Sequence, residues 1–267
     1  QLFEDFETWA KDLGVEKIYG PINFTTFGAY RVRMNHFENG YFPGEPYNPS
    51  YYPALLDKLG YGVEKTFYSW FGRMEQRPES LAEKIEPMLK KAEAGGMVFK
   101  RLTPEFWLEN IETLYQYVDD IFKDNFAYTG ISLEAFKRDY GQPFAKKICP
   151  KTSVLALDSA GEIAGFFAAF PDYSSHLRQG NEDRIDISRI NYADHFSSIK
   201  SPMILGKTGG VHPNYRQSGL FTLMSYLIMK WSGTMYEFGS AAMVRDDNPS
   251  VKTAQLAFSR PEDWRHE

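Results

Sequence analysis

Apolar residues at Leu220, Leu223, Met224, Leu227, Ile228 and Trp231 recur at the i, i+3, i+4, i+7 spacing of a helix with one buried stripe. The pattern predicts a helix beginning near 217–219. Ahead of it Met203 to Val211 reads as a strand, so strand, turn and helix follow one another through Thr208-Gly209-Gly210-Val211-His212-Pro213-Asn214-Tyr215-Arg216-Gln217-Ser218-Gly219-Leu220. The first amides of a helix have no partner inside it, and its macrodipole adds partial positive charge there, which suits a phosphate or pyrophosphate. The pair Gly209-Gly210 predicts a bulge, or a place where a backbone or a ligand comes close.

The pattern elsewhere predicts a long series of elements. Leu2, Phe3, Phe6, Trp9, Ala10 and Leu13 mark a first helix, ended by Gly14. A short strand at Glu16 to Tyr19 and a loop rich in Gly, Asn and aromatics precede a helix started by Asn48-Pro49-Ser50 and ended at Leu59-Gly60. Val63 to Phe71 reads as a strand, and 76–94 as a charged helix stopped by Gly95-Gly96. Then follow a strand at Met97 to Leu102, a helix capped by Thr103-Pro104 that carries Leu108, Ile111, Tyr115, Val118 and Phe122, and a helix over Leu133 to Tyr140. Thr152 to Leu157 and Glu162 to Phe170 form a hairpin around Asp158-Ser159-Ala160-Gly161. A polar segment, Ser174 to Lys200, leads to Met203, and beyond the long helix come a strand at Ser240 to Val244 and a helix from Asn248. Interleaved strands and helices of this kind predict the α/β (α+β) class.

With 267 residues, 43% of them hydrophobic, two cores are expected rather than one. A net charge of -5 argues against general nucleic-acid binding, which needs a basic surface. From Lys200 to Arg260, however, seven Lys or Arg face three acids, so that span is +4 and the remainder -9. A basic segment around the proposed phosphate site suits an anionic ligand. The single cysteine, Cys149, excludes an internal disulfide and a multi-cysteine zinc site, and it points to a reducing, cytoplasmic setting. It reads as a packed hydrophobe rather than a nucleophile. The five histidines fall at no metal-ligand spacing, so no metal is expected. No apolar run reaches the ~18 residues of a membrane span, and no signal-peptide pattern opens the chain. A chain that starts on Gln1 reads as trimmed or incomplete. Gly206-Lys207-Thr208 looks like the tail of a P-loop, but Ser201 stands where that motif needs its first Gly, and the match is set aside.

Arg216-Gln217-Ser218-Gly219-Leu220-Phe221 resembles the acyl-CoA signature of the GNAT superfamily of N-acyltransferases, Q/R-x-x-G-x-G/A, with Phe221 departing at the last position. The order of elements over 95–260 is similar to that fold as well. Gly20-Pro21-Ile22-Asn23 and Tyr47-Asn48-Pro49-Ser50-Tyr51-Tyr52 resemble part of the same family. The implied architecture is a mixed, centrally splayed sheet flanked by helices. Its expected parts are a partial, degenerate GNAT-like module over 1–75, a helical linker over 76–96 and an acyltransferase domain over 97–267. Asn48-Pro49-Ser50 recurs at an offset of 200 as Asn248-Pro249-Ser250, an echo of the kind duplication leaves.

The resemblance implies acetyl-CoA or another acyl-CoA as co-substrate and a small-molecule or peptide amine as acceptor. Gln217, Ser218, Gly219 and Leu220 would hold its phosphates, with Arg216 at the rim. Gly209 and Val211 would hold the pantetheine arm and polarise the thioester carbonyl, and Asn248 and Ser250 would touch the arm. Direct attack by the amine needs a base, for which Asp246 is the first choice and Asp172 the second, and an acid for the thiolate. Family members often carry a Tyr seven residues after the Asn, but here that position is Gln255, which leaves Tyr226, Tyr236 or water. His176 and His195 flank the expected acceptor side. The alternative function is a non-catalytic GNAT-like module that binds acyl-CoA or a protein. An aminoacyl transferase acting on tRNA would need a basic channel, against the net charge. Closing strands are expected where the chain stops, at Trp264 to Glu267, so that either more sequence or another chain would complete the sheet.

Overall fold

The computed structural model describes residues 1–23, 25, 27–177 and 185–267. Within the polar segment expected at Ser174 to Lys200, positions 178–184 lie outside the described residues, as do 24 and 26 in the first loop. Among the described residues seven strands form one sheet: β1 (Phe67–Arg73), β2 (Val98–Arg101), β3 (Val154–Leu157), β4 (Ile163–Pro171), β5 (Met203–Val211), β6 (Phe238–Arg245) and β7 (Trp264–His266). Their order is β2-β3-β4-β5-β6-β1-β7. Neighbours run antiparallel except β5 and β6, which are parallel. The mixed sheet flanked by helices is the architecture the sequence resemblance implies.

The helices in chain order are α1 (Leu2–Asp12), α2 (Tyr52–Lys58), α3 (Arg77–Ala94), α4 (Pro104–Glu109), α5 (Ile111–Phe122) and α6 (Leu133–Tyr140). Three single-turn helices follow, α7 (Gln142–Ala145), α8 (Ser174–Leu177) and α9 (Tyr192–His195), then α10 (Leu220–Ser232) and α11 (Ser250–Ala257). The period-2 alternation of β4 explains the two layers. Phe167 turns to one face, in a core with Ile85 and Leu89 of α3 and Leu223 and Leu227 of α10. Its neighbours Phe166 and Ala168 turn to the other, among Trp107 of α4, Leu114 and Val118 of α5 and Phe136 of α6.

Several local expectations change. The helix expected after Thr103 keeps its cap, since Thr103 Oγ1 accepts from the Phe106 amide at 3.2 Å, but it breaks at Asn110 (φ -110°, ψ 18°) into α4 and α5. Glu16 to Tyr19 is not a strand; the pairing nearest to it is a single bridge between Ile22 and Tyr30. The apolar stripe of α1 is largely open, with Leu2 80%, Trp9 59% and Leu13 61% exposed. Asn48 does not cap α2; its carboxamide exchanges hydrogen bonds with the Arg33 backbone. At the chain's end, β6 is flanked by β1, with β7 beyond it, so residues 67–73 supply a strand next to the parallel pair.

Candidate functional site

Strands β5 and β6 pair only from Met203↔Phe238 to Gly206↔Ala241. Beyond that point both continue, β5 on β4 as far as Val211↔Gly165 and β6 on β1 as far as Arg245↔Phe67, and a gap opens between them. Each strand carries one extra residue at the fork. On β5 it is Lys207, between Ala168↔Thr208 and Ala169↔Gly206; on β6, Ala242 and Met243 face the single Ser69 of β1. Met243 adopts φ 56°, and its amide donates to Ser69 Oγ at 3.1 Å. A bulge bends its strand and sharpens the twist, so two bulges at one level drive the strands apart.

Sequence reasoning expected either a bulge or a close approach at Gly209-Gly210. The structure puts the bulge at Lys207, and the glycines are needed for close approach. A Cβ on Gly209 would lie 2.6 Å from the Phe167 ring, and one on Gly210 would lie 2.7 Å from Ile121. The His212 amide donates to Ala164 of the β4 side at 2.9 Å. Amides alternate edges along a strand, so those of Gly209 and Val211 point into the gap.

The gap leads to the start of α10. Gly219, at the cap, has φ 80°, and Gln217 has φ 69°. Alternating left-handed residues bring successive amides to one side, a nest suited to anions. Among the described residues the amides of Gln217, Gly219, Phe221 and Thr222 donate no hydrogen bond. The Leu220 amide donates to Ser218 Oγ at 3.3 Å. Phe221 leaves the nest open, since its ring stacks on Phe167 with centroids 5.1 Å apart while its amide stays at the helix start. Arg216 is exposed at the rim and gives one N–H to the Ile121 carbonyl at 3.1 Å.

Gap and nest belong to one cavity of about 1190 Å³. Of the residues singled out from the sequence, Gly209, Val211, Arg216, Gln217, Gly219, Leu220, Asn248 and Ser250 line it. Asn248 Oδ1 accepts from the Ser250 amide at 3.0 Å and from its hydroxyl at 2.8 Å, which fixes the entry to α11. Ser218 stands outside the lining, with its hydroxyl donating to the Tyr215 carbonyl at 2.7 Å. Asp246 is exposed and outside the lining, one residue past the lining Arg245, and it accepts from the Asp247 amide. Asp172 lines a separate cavity of about 420 Å³ and accepts from Ser174. His176 and His195 pack together with rings 5.7 Å apart, outside the larger cavity.

Tyr226 and Tyr236 also lie outside the cavity; the first donates to Glu86 at 3.0 Å, and burial drives the pKa of the second far up. Gln255 is exposed while Thr253, Ala254 and Ala257 face the cavity, so a tyrosine at 255 would not reach it.

Sequence reasoning missed the cations at the fork. Lys207, the bulged residue, lines the cavity and donates to the Pro43 carbonyl at 3.1 Å. Burial, helped by Arg31 and Lys147, lowers its pKa to about 8. Arg31 enters from the N-terminal segment and lies between the Tyr30 ring (3.8 Å) and the Phe67 ring (3.9 Å). Its terminal nitrogens meet Tyr30 Oη and, at 2.8 Å, Met243 Sδ, whereas Nε is buried without a partner. Desolvation lowers the Arg31 pKa to about 10. The only signal for either was Gly206-Lys207-Thr208, weighed as the tail of a P-loop and set aside.

No protein-family model matches the sequence, and no curated protein matches it. Solved structures do resemble it in fold. A GCN5-related N-acetyltransferase from Sphaerobacter thermophilus aligns over 84% of this chain and 56% of its own, at 11% identity and a TM-score of 0.45. A tandem GNAT protein from the clavulanic acid biosynthesis pathway aligns over 88% and 60%, at 14% identity and a TM-score of 0.46. An aminoglycoside N-acetyltransferase solved in complex with CoA aligns over 62% and 88%, at 14% identity and a TM-score of 0.37. The chain thus spans a little over half the length of the Sphaerobacter structure. Likenesses this distant concern the fold alone, and the chemistry stands on the chain's own geometry.

Proposed function

We propose that the chain binds an acyl-CoA, acetyl-CoA foremost, and transfers its acyl group to a small-molecule or peptide amine by direct attack. The observation that carries this reading is the continuity of the fork with the nest. Amides of Gly209 and Val211 face a gap that runs to unpaired amides at Gln217, Gly219, Phe221 and Thr222, all on one cavity. An extended arm ending in phosphates fits that track. The nest would hold the pyrophosphate, while the arm adds to the open edge of β5 as a further strand. Gap-facing amides are aimed where the thioester oxygen gains charge as the amine attacks. Asp246, exposed beside the cavity-lining Arg245, would take the amine's proton through water. Departing thiolate is likewise protonated from solvent in this scheme, because Tyr226 and Tyr236 do not face the cavity. A reducing, cytoplasmic setting and the absence of a nucleic-acid partner belong to the same proposal. Among the described residues no helix is long and apolar enough to cross a membrane.

Thermal melting with CoA and acetyl-CoA tests the cofactor. Ligand at about 100 times its dissociation constant adds ~2.7 kcal/mol of stability, so a clear upward shift is expected. An unmoved melt ends the cofactor reading. Thiol release from acetyl-CoA with an amine panel tests the transfer, and Asp246→Asn is expected to slow release without changing the melting shift. CoA binding with no release from any amine would leave the non-catalytic alternative standing.

A further inference from the structure

The fork of the sheet concentrates positive charge that the protein itself does not neutralise. Lys207 and Arg31 both line the large cavity, and among the described residues neither has a carboxylate oxygen within 4 Å. The acidic residue nearest in sequence to Pro43, the acceptor of Lys207, is Glu45; it lines the same cavity, but its carboxylate is engaged by His266 Nδ1 at 2.9 Å and Arg33 at 3.8 Å rather than by Lys207 or Arg31. Lys207 is left with one carbonyl, and Arg31 with two rings, a sulfur and a phenol. Buried charge without a counter-ion is costly, and a site that keeps two such charges facing a cavity is matched to an anion that arrives from outside.

Position decides which anion. The phosphate nest is at Gln217–Thr222, at the far end of β5 from the bulge, so a bound arm would bring its reactive end toward Gly206 and Lys207. The cations therefore stand on the acceptor's side of the thioester. Around them the walls are aromatic: Phe27, Tyr30, Phe67 and Tyr128 all line the cavity.

We infer that the acceptor is an amine that carries its own anionic group, carboxylate or phosphate, on a partly apolar body, and that Arg31 and Lys207 hold that group. This rests on the acyl-transfer reading above and names the substrate class of the same site. The bulge is what makes it possible, because the extra residue in β5 turns a cation into the cavity.

Benzoate, phenyl phosphate and benzamide probe the site by calorimetric titration at low ionic strength, since the first two differ from the third mainly in charge. The wild type is expected to bind at least one of the anions ten times more tightly than benzamide, and the better anion tells carboxylate from phosphate. Lys207→Met and Arg31→Met are each expected to shrink that preference below threefold, while Lys207→Arg retains it. Lys207→Gln serves as a second variant for the loss of charge should Lys207→Met not fold. Equal affinity for anion and amide, including no measurable binding of any of them, overturns the inference, as does a preference that survives both substitutions. The melting shift with CoA separates the two readings. A wild type that responds to CoA but not to charge loses only the acceptor class, whereas anion selectivity without a CoA response removes the acyl-transfer role and the acceptor assignment with it.

Discussion

At the scale of single residues, Lys207 makes the most direct prediction. In the unfolded chain it stays protonated up to about its ordinary 10.5, but in the fold only up to about 8. Between those values the unfolded state binds more protons, so stability rises with pH across that window; below 8 both states are protonated and the penalty is constant. A shift of this size corresponds to an upper bound on the order of 3 kcal/mol. The charged groups that weigh on it are Arg31 and Lys147, both raising the cost of its proton. Lys207→Met is therefore expected to be more stable than the wild type at pH 7.5 by ~2 kcal/mol, after the loss of the bond to Pro43 is set against the relief. Urea midpoints should show the advantage vanishing by pH 10.5, and an advantage that is flat with pH would show that Lys207 is not desolvated. Neither Lys207 nor Arg31 was legible as a site residue, because their meaning comes from a bulge and a loop that meet only in three dimensions. Gly219 and Leu220, which line the cavity, could be singled out from the sequence, since the turn that uses them is local.

Among the elements, the ones that carry the site were readable to the residue where local signals are strong. β5 spans Met203–Val211 and α6 spans Leu133–Tyr140, the ranges that the patterns predict. Helix α10 starts at Leu220, just past the 217–219 that its periodicity predicts and directly after the left-handed Gly219. The fork itself was not readable, because a bulge is a mismatch between two strands and neither strand encodes it alone. The glycine at the start of α10 offers a test. Gly219 sits at φ 80°, and a Cβ there would lie 3.2 Å from the flexible end of Met88, so the strain in Gly219→Ala is mainly that of the left-handed backbone. A stability loss of about 1–2 kcal/mol is expected. Re-aimed amides should also reduce the melting shift with CoA relative to wild type. An unchanged shift would mean that the nest is not where the ligand's phosphates are held.

For the whole molecule, the question is how the N-terminal segment belongs to the rest. Periodicity located a strand near Val63 to Phe71, but it could not say which sheet it joins, since pairing partners far apart in sequence leave no local trace. In the structure β1 lies between β6 and β7, with Trp70 and Phe71 buried, and the same segment brings Arg31, Tyr30 and Phe67 to the cavity. α1, by contrast, leaves most of its apolar stripe in water. Segments with few buried contacts open at low free energy, whereas core strands open only with the whole. Hydrogen exchange should therefore split residues 1–75 in two: amides of β1 are expected to exchange with those of β5 and β6, and amides of α1 orders of magnitude faster. That outcome would make the boundary of the proposed acyl-transfer unit fall before residue 67 rather than near 97, with the segment that contributes β1 also furnishing the proposed acceptor side of the site. If β1 exchanged as fast as α1, the segment would be a loosely attached module, and Arg31 could not hold an anion against Lys207 with any precision.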